Sequence, residues 1–183
     1  DYMIFVTGNN GKFTEAAKLI PGLKQAKLDI PEIQSDSIEE IARFSIEYAY
    51  KELQEPCFVE DSGIFVDALN GFPGPYSRYV LDTIDNSGVL RLMENFEDKK
   101  AHFETCLAYH DGKEVHIFKG RADGTIALEI RGKDGEGFGF DSIFIPEGRD
   151  KTFAEDYEYK ETVSHRKRAT EGFLAFLEGA LHT

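Results

Sequence analysis

The sequence predicts a mixed α/β protein, and three observations carry that expectation. A short β-rich run, Tyr2-Met3-Ile4-Phe5-Val6-Thr7, ends in a Gly/Asn cluster and gives way to Phe13, Ala16, Ala17 and Ile20, apolar at i, i+3, i+4 and i+7. Strand, glycine turn and helix therefore form the opening unit. Residues 101–130 have a β-like texture, and the chain then closes on the helical stripe Ala169, Phe173, Phe176, Leu177 and Ala180. A length of 183 residues allows one well-buried core and not two comfortable ones. The expected organisation is a single domain over 1–183, one compact unit drawn out into two lobes.

The remaining elements follow in order. Residues 25–30 read as a second strand before Pro31-Glu32. Ser37 and Glu40 have capping-box spacing, and the helix they open carries Ile38, Ile41, Ala42, Ser45, Ala49 and Leu53 on one side. Cys57-Phe58-Val59 is a third apolar run, and Ile64-Phe65-Val66 follows across a polar interruption. Gly71-Phe72-Pro73-Gly74-Pro75 is the densest cluster of turn residues. Val89, Leu90, Met93 and Phe96 mark another helix within residues 86–96. Asp111-Gly112 predicts a hairpin turn and Asp123-Gly124 a second turn. The glycine-rich stretch 132–139 leads into a run at 142–145.

Composition excludes several functions. Hydrophobic residues make up 41% and charged residues 30%, which is globular usage rather than disorder. No uncharged apolar run approaches the roughly 20 residues needed to cross a bilayer. The first residues lack a basic segment and are expected to form a strand, not a signal peptide, and the absence of an initiator Met suggests a processed or trimmed end. A net charge of −13 argues against nucleic acid, which needs a basic face to displace counterions. It leaves room for a nucleotide held locally by Lys, Arg, backbone amides and a metal ion. Cys57 and Cys106 lie in apolar runs without CxxC spacing and read as buried thiols of a reducing cytoplasm.

Four polar motifs, each ending an apolar run, carry the chemistry. Thr7-Gly8-Asn9-Asn10-Gly11-Lys12 sits between a strand and a helix start, where amides and the helix dipole favour anions. It is not a Walker A loop, because the glycine spacing differs and Phe13 stands where Ser or Thr is required. An ordinary surface turn is the alternative, although Lys12 in the first helical turn opposes the dipole and wants an anion nearby. Glu60-Asp61-Ser62-Gly63 offers adjacent carboxylates, with Glu32 as a plausible third, of the kind that Mg²⁺ selects. A solvated acidic loop is the alternative there. Phe138-Gly139-Phe140-Asp141 offers an aromatic face and a carboxylate to a base, or else two core phenylalanines. Ser164-His165-Arg166 offers hydrogen-bond donors, or else a helix cap followed by solvated Lys167 and Arg168. Ser/His/Asp catalysis lacks a Gly-x-Ser-x-Gly elbow.

In this order and spacing the motifs resemble the inosine triphosphate pyrophosphatase family, which hydrolyses non-standard purine nucleoside triphosphates. The resemblance runs from Phe5-Val6-Thr7-Gly8-Asn9 through Glu60-Asp61-Ser62-Gly63, Asn70-Gly71-Phe72-Pro73-Gly74 and Tyr76-Ser77 to Phe153-Ala154-Glu155 and Ser164-His165-Arg166-Lys167-Arg168-Ala169, nearly the whole chain. It implies an elongated α/β fold, with a long twisted mixed sheet flanked by helices and two lobes around a central substrate cleft. It also implies a homodimer, and the cysteine reading places the chain in the cytoplasm.

Residue by residue, the resemblance implies that Thr7, Gly8, Asn9, Asn10, Gly11 and Lys12 surround the phosphates. Asp61 carries the catalytic and metal role, with Glu32 as a further Mg²⁺ ligand and Mn²⁺ able to replace the ion. Ser62, Phe138, Gly139, Phe140, Asp141, Lys160, His165 and Arg166 bind substrate. Glu60 or Asp61 is the candidate general base, and Lys12 stabilises charge on the phosphates. His165 and Arg166 are expected to donate to O6 of hypoxanthine or xanthine. The chain departs from the family at Asp156, where Met is common and the charge falls near Lys160. It departs again at Phe140, which replaces Tyr or Trp, and at Ser142, which replaces a frequent Pro. The competing expectations are a pyrophosphatase for pyrimidine or modified nucleotides and a nucleotide sensor without hydrolysis.

Overall fold

Asn9 and Ser37 start the first two helices because their side chains satisfy amides that have no intrahelical partner. Asn9 Oδ1 accepts from Lys12 N–H at 3.0 Å, and Ser37 Oγ accepts from Glu40 N–H at 3.2 Å. The expected capping box is relayed through a third residue. The Glu40 carboxylate accepts from Ser35 Oγ at 2.7 Å, and Ser35 Oγ in turn accepts from Ser37 N–H at 3.0 Å.

A computed structural model describes residues 2–132 and 137–182. Among these, the strands are β1 (Ile4–Val6), β2 (Lys24–Ala26), β3 (Cys57–Val66), β4 (Lys100–His110), β5 (Val115–Ile126) and β6 (Phe144–Pro146). The α-helices are α1 (Asn10–Leu19), α2 (Ile38–Leu53), α3 (Ser77–Thr83), α4 (Asp85–Met93), α5 (Tyr157–Val163) and α6 (His165–Ala180). The sheet order is β2-β1-β3-β4-β5-β6, with β1 parallel to β2 and β3, and β5 antiparallel to β6. The mixed α/β class expected from the sequence is the one observed. No helix among the described residues is long and apolar enough to cross a membrane.

Several local expectations shift. The second strand is Lys24–Ala26 rather than 25–30. The polar motif at 60–62 does not end a strand: β3 continues through it as one ten-residue strand. Asp123-Gly124 is likewise inside β5, where Gly124 pairs with Pro146. A side chain at 124 would meet Ile145 O at 2.2 Å, so this glycine serves strand contact and not a turn. In α1 the apolar stripe turns away from Ala17, which is exposed, and buries Glu15 instead. Of the glycine-rich stretch 132–139, residues 133–136 lie outside the described residues. Helix α5, absent from the periodicity reading, is capped by Asp156, whose side chain accepts from Tyr159 N–H at 3.2 Å.

The chain forms two compact units. One comprises residues 1–61, 105–120 and 166–183, and the other residues 62–104 and 121–165. In the first, Phe5 stacks on Phe58 at 4.5 Å, and Phe173 of α6 tilts onto Phe58 at 5.1 Å. Ala16, Ile20, Leu107 and Ala169 complete that core. Cys57 and Cys106 also belong to this unit and are buried. Burial raises the Cys57 thiol to about 11 and the Cys106 thiol to about 12. Both stay protonated at pH 8, so iodoacetamide should leave the folded protein unmodified and add two carbamidomethyl groups in urea, read by intact mass.

In the second unit, Phe103, Phe144 and Phe153 form an aromatic nucleus with Ile64, Val66, Val89 and Met93 around it. Gly63 shows why two of the motifs travel together. A Cβ at 63 would lie 2.3 Å from Gly74 O, and Ser77 Oγ ties the two segments by donating to Gly74 O at 2.7 Å and accepting from Ile64 N–H at 2.9 Å. Gly63→Ala is therefore expected to cost about 1–3 kcal/mol, read as a lowered urea midpoint. An unchanged midpoint would mean that the Gly74 turn can move aside.

Candidate active site

In the first unit the central group is Arg166, at the start of α6 and 2% exposed. Its Nε and Nη2 donate to the two carboxylate oxygens of Glu60 at 2.7 and 2.8 Å, a bidentate fork, and its Nη1 donates to Glu15 of α1. Burial works against the guanidinium charge, but Glu60 and Glu15 outweigh it and hold Arg166 protonated well above its ordinary range. Lys12 adds a second cation, with Nζ 3.6 Å from Glu60 Oε1. The anion that Lys12 needs in the first turn of a helix is thus Glu60.

Lys12 and Arg166 bring two cations to the two carboxylates of Glu15 and Glu60. Asp61, half-buried and next along β3, adds one negative charge beside them. Glu15 was missed by motif reading. The local signal is only its place three residues after Lys12, on the same helix face; its pairing with Arg166, 151 positions away, is decided by the fold.

The Thr7-to-Lys12 segment is pinned by its own side chains. Thr7 Oγ1 accepts from Asn9 N–H at 3.0 Å, and Gln25 Nε2 donates to Thr7 O at 3.0 Å and to Asn10 Oδ1 at 3.2 Å. Gly8 is exposed, while Asn10 and Gly11 occupy the first turn of α1, where amides precede any intrahelical acceptor. Glu32 lies exposed in the irregular segment after β2.

The second unit holds the other expected residues. Lys160 of α5 is 1% exposed, and its Nζ donates to Asp141 Oδ2 at 2.6 Å. The same oxygen accepts from Phe138 N–H at 3.0 Å, closing the Phe138-to-Asp141 turn. Gly139 takes the positive φ, +61°, that this turn requires. The ring of Phe138 lies 4.3 Å from the ammonium and that of Tyr157 5.1 Å. Asp156, expected to disturb Lys160 with its charge, is occupied as the helix cap.

Two expectations at the base change here. Phe140 is a core residue of this unit, 5% exposed, so Phe138 is the partly exposed ring of the pair. Arg166, expected to donate to a base, directs its guanidinium to Glu60 and Glu15. His165 is buried with its ring stacked on Phe103 at 4.5 Å. Ser62 is half-buried in β3 as the first residue of this unit. The chain passes from one unit to the other inside two of the motifs, between Asp61 and Ser62 and between His165 and Arg166.

Known proteins resolve what this combination belongs to. The sequence model of the Ham1 family matches residues 3–176. The chain belongs to the Ham1 family. That agrees with the resemblance carried by the ordered motifs. A dITP/XTP pyrophosphatase of Thermococcus kodakarensis is 49% identical over 181 residues, covering 96% of this chain and 97% of its own. One of Methanopyrus kandleri is 49% identical over 177 residues, covering 93% of each. Among solved structures, the Ham1 protein of Staphylococcus aureus superposes with a TM-score of 0.85 at 31% identity, over 98% of this chain and 100% of that one. In this Ham1-family chain the buried Arg166–Glu60–Glu15 group is a fixed part of the fold beside Asp61, not a loosely held surface cluster.

Proposed function

We propose that residues 1–183 form one catalytic domain that hydrolyses non-standard purine nucleoside triphosphates, ITP, dITP and XTP, to the nucleoside monophosphate and pyrophosphate. The observation that carries this reading is the Ham1-family match over residues 3–176, with 49%-identical relatives named dITP/XTP pyrophosphatase. The chain acts in the cytoplasm as a homodimer, on free nucleotides and not on nucleic acid, in keeping with its net charge of −13.

The phosphates are assigned to the segment Thr7 to Lys12. Amides in the first turn of α1 and the Lys12 ammonium suit anionic oxygens, and Asn9 and Thr7 hold that turn rigid. The donor set fits a hard divalent cation. Both Glu60 oxygens are bound by Arg166, and Asp61 supplies carboxylate oxygen with Glu32 as a second ligand. Mg²⁺, or Mn²⁺ with the same ligands, supplies charge neutralisation on the phosphates when bound. Activation of the attacking water is assigned to Asp61, the residue to which the family resemblance gives the catalytic role.

Recognition of the base is assigned to Phe138, Asp141, Lys160 and His165. Phe138 supplies a face, and Lys160, oriented by Asp141, supplies a donor for O6 of hypoxanthine or xanthine. Adenine presents an amino donor at that position and leaves the ammonium opposed. Arg166 enters through Glu60 and Glu15 rather than through the base.

Incubation with Mg²⁺ and, in turn, ITP, dITP, XTP, GTP, ATP, dUTP and dTTP tests this reading, with pyrophosphate and orthophosphate measured separately. Pyrophosphate should form from the first three on the order of a hundredfold faster than from ATP. Orthophosphate as direct product, preference for dUTP or dTTP, or binding without turnover would each overturn it.

A further inference from the structure

Away from those residues, three donor side chains meet at the tip of the hairpin joining β4 to β5. Asp111, Glu114 and His116 each present a ligating atom, and the three atoms lie within 4.8 Å of one another. His116 Nε2 is 2.8 Å from Asp111 Oδ2 and 3.8 Å from Glu114 Oε1. We propose that this trio is a binding site for a borderline divalent transition ion of the zinc type. It stands independently of the nucleotide reading and differs in chemistry from the all-oxygen set assigned to Mg²⁺.

The hairpin backbone orders the ligands in advance. Lys113 N–H and Glu114 N–H donate to Asp111 Oδ1 at 2.7 and 2.9 Å, and Asp111 N–H donates to Glu114 O at 3.1 Å. Asp111 is thereby held with Oδ2 turned toward His116. His116 is the second residue of β5 and Glu114 lies just before that strand, with its Oε1 3.8 Å from the imidazole. The imidazole is steadied from behind by Phe176 of α6, with ring centres 4.4 Å apart. Tyr50 OH donates to Gly112 O at 3.2 Å and anchors the turn itself.

The geometry suits the ion's size. Zinc-type bonds to imidazole nitrogen and carboxylate oxygen are about 2.0–2.2 Å, which sets neighbouring ligand atoms of a tetrahedron roughly 3.4 Å apart. The observed 2.8 and 3.8 Å bracket that separation, so a small side-chain adjustment admits the ion. One nitrogen and two carboxylates, with solvent at the exposed Glu114 side, is a donor mix that zinc, cobalt and nickel ions accept. Mg²⁺ prefers an octahedron of oxygens and gains little from the imidazole.

Titration of the nucleotide-free protein with Co²⁺, followed by its visible absorption, tests the site directly. One equivalent should give a saturable band, displaced by one equivalent of Zn²⁺ and retained in excess Mg²⁺. His116→Asn should weaken binding at least about tenfold, and Glu114→Gln, at an exposed position, should weaken it without disturbing the fold. Asp61→Asn should leave this equivalent intact. Absence of a saturable band, unchanged affinity in both hairpin variants, or loss in Asp61→Asn instead would overturn the proposal.

Discussion

Arg166→Ala is expected to lower the unfolding free energy by about 3–5 kcal/mol, the cost of stripping a buried ion-pair network of its cation. Side-chain exposure is 3% for Arg166, 2% for Glu60 and 8% for Glu15, so water cannot replace the guanidinium. Lys12 lies 3.6 Å from Glu60 and compensates one carboxylate in part. Arg166→Lys should recover less than half of the loss, because an ammonium keeps the charge but not the fork that meets both Glu60 oxygens. Urea midpoints of the two variants decide the matter. A loss below about 1 kcal/mol in the alanine variant would show that the network contributes no net stability. Turnover of dITP should fall along with stability, since Glu60 holds Lys12 as well.

Asp61→Asn should have the opposite signature. The substitution keeps shape and removes charge from the carboxylate assigned to metal and water. Pyrophosphate release should therefore fall on the order of 10³-fold. The urea midpoint should move less than in Arg166→Ala, because Asn keeps the shape of the side chain and the Arg166 fork on Glu60 stays in place. Initial rates with dITP at saturating Mg²⁺, measured beside the denaturation curve, separate the two effects. Turnover within tenfold of wild type would remove Asp61 from the chemistry and return Glu60 to consideration.

Much of the fold was readable from local patterns. The β1-to-α1 unit, the Ser37 cap, the Asp111-Gly112 turn and the last helix all follow rules that act over a few residues. The errors share a cause. At Glu60-Asp61-Ser62 and at Asp123-Gly124, polar or turn-forming residues interrupt an apolar pattern, and local rules end the strand there. Neighbouring strands keep it extended instead, since ladder hydrogen bonds form between backbones whatever the side chains. Helix α5 escaped because its seven residues offer no long apolar stripe and one of its inward positions is the charged Lys160.

The site divides along the same line. Residue types alone marked Lys12, Glu60, Asp61 and Arg166 as chemically unusual, because each sets a charge at a helix start or beside an apolar run, and the family resemblance added Lys160. Which partner each one has was invisible in the order of residues. Arg166 reaches Glu60 from 106 positions away and Glu15 from 151, and Lys160 reaches Asp141 from 19. Likewise, nothing local distinguishes Phe138, beside an ammonium, from Phe140, inside a core. Helix starts, turns and the demand for counter-charges arise from neighbours in sequence and can be read there. Charge pairing and burial arise from neighbours in space, and the assembled sheet brings those together.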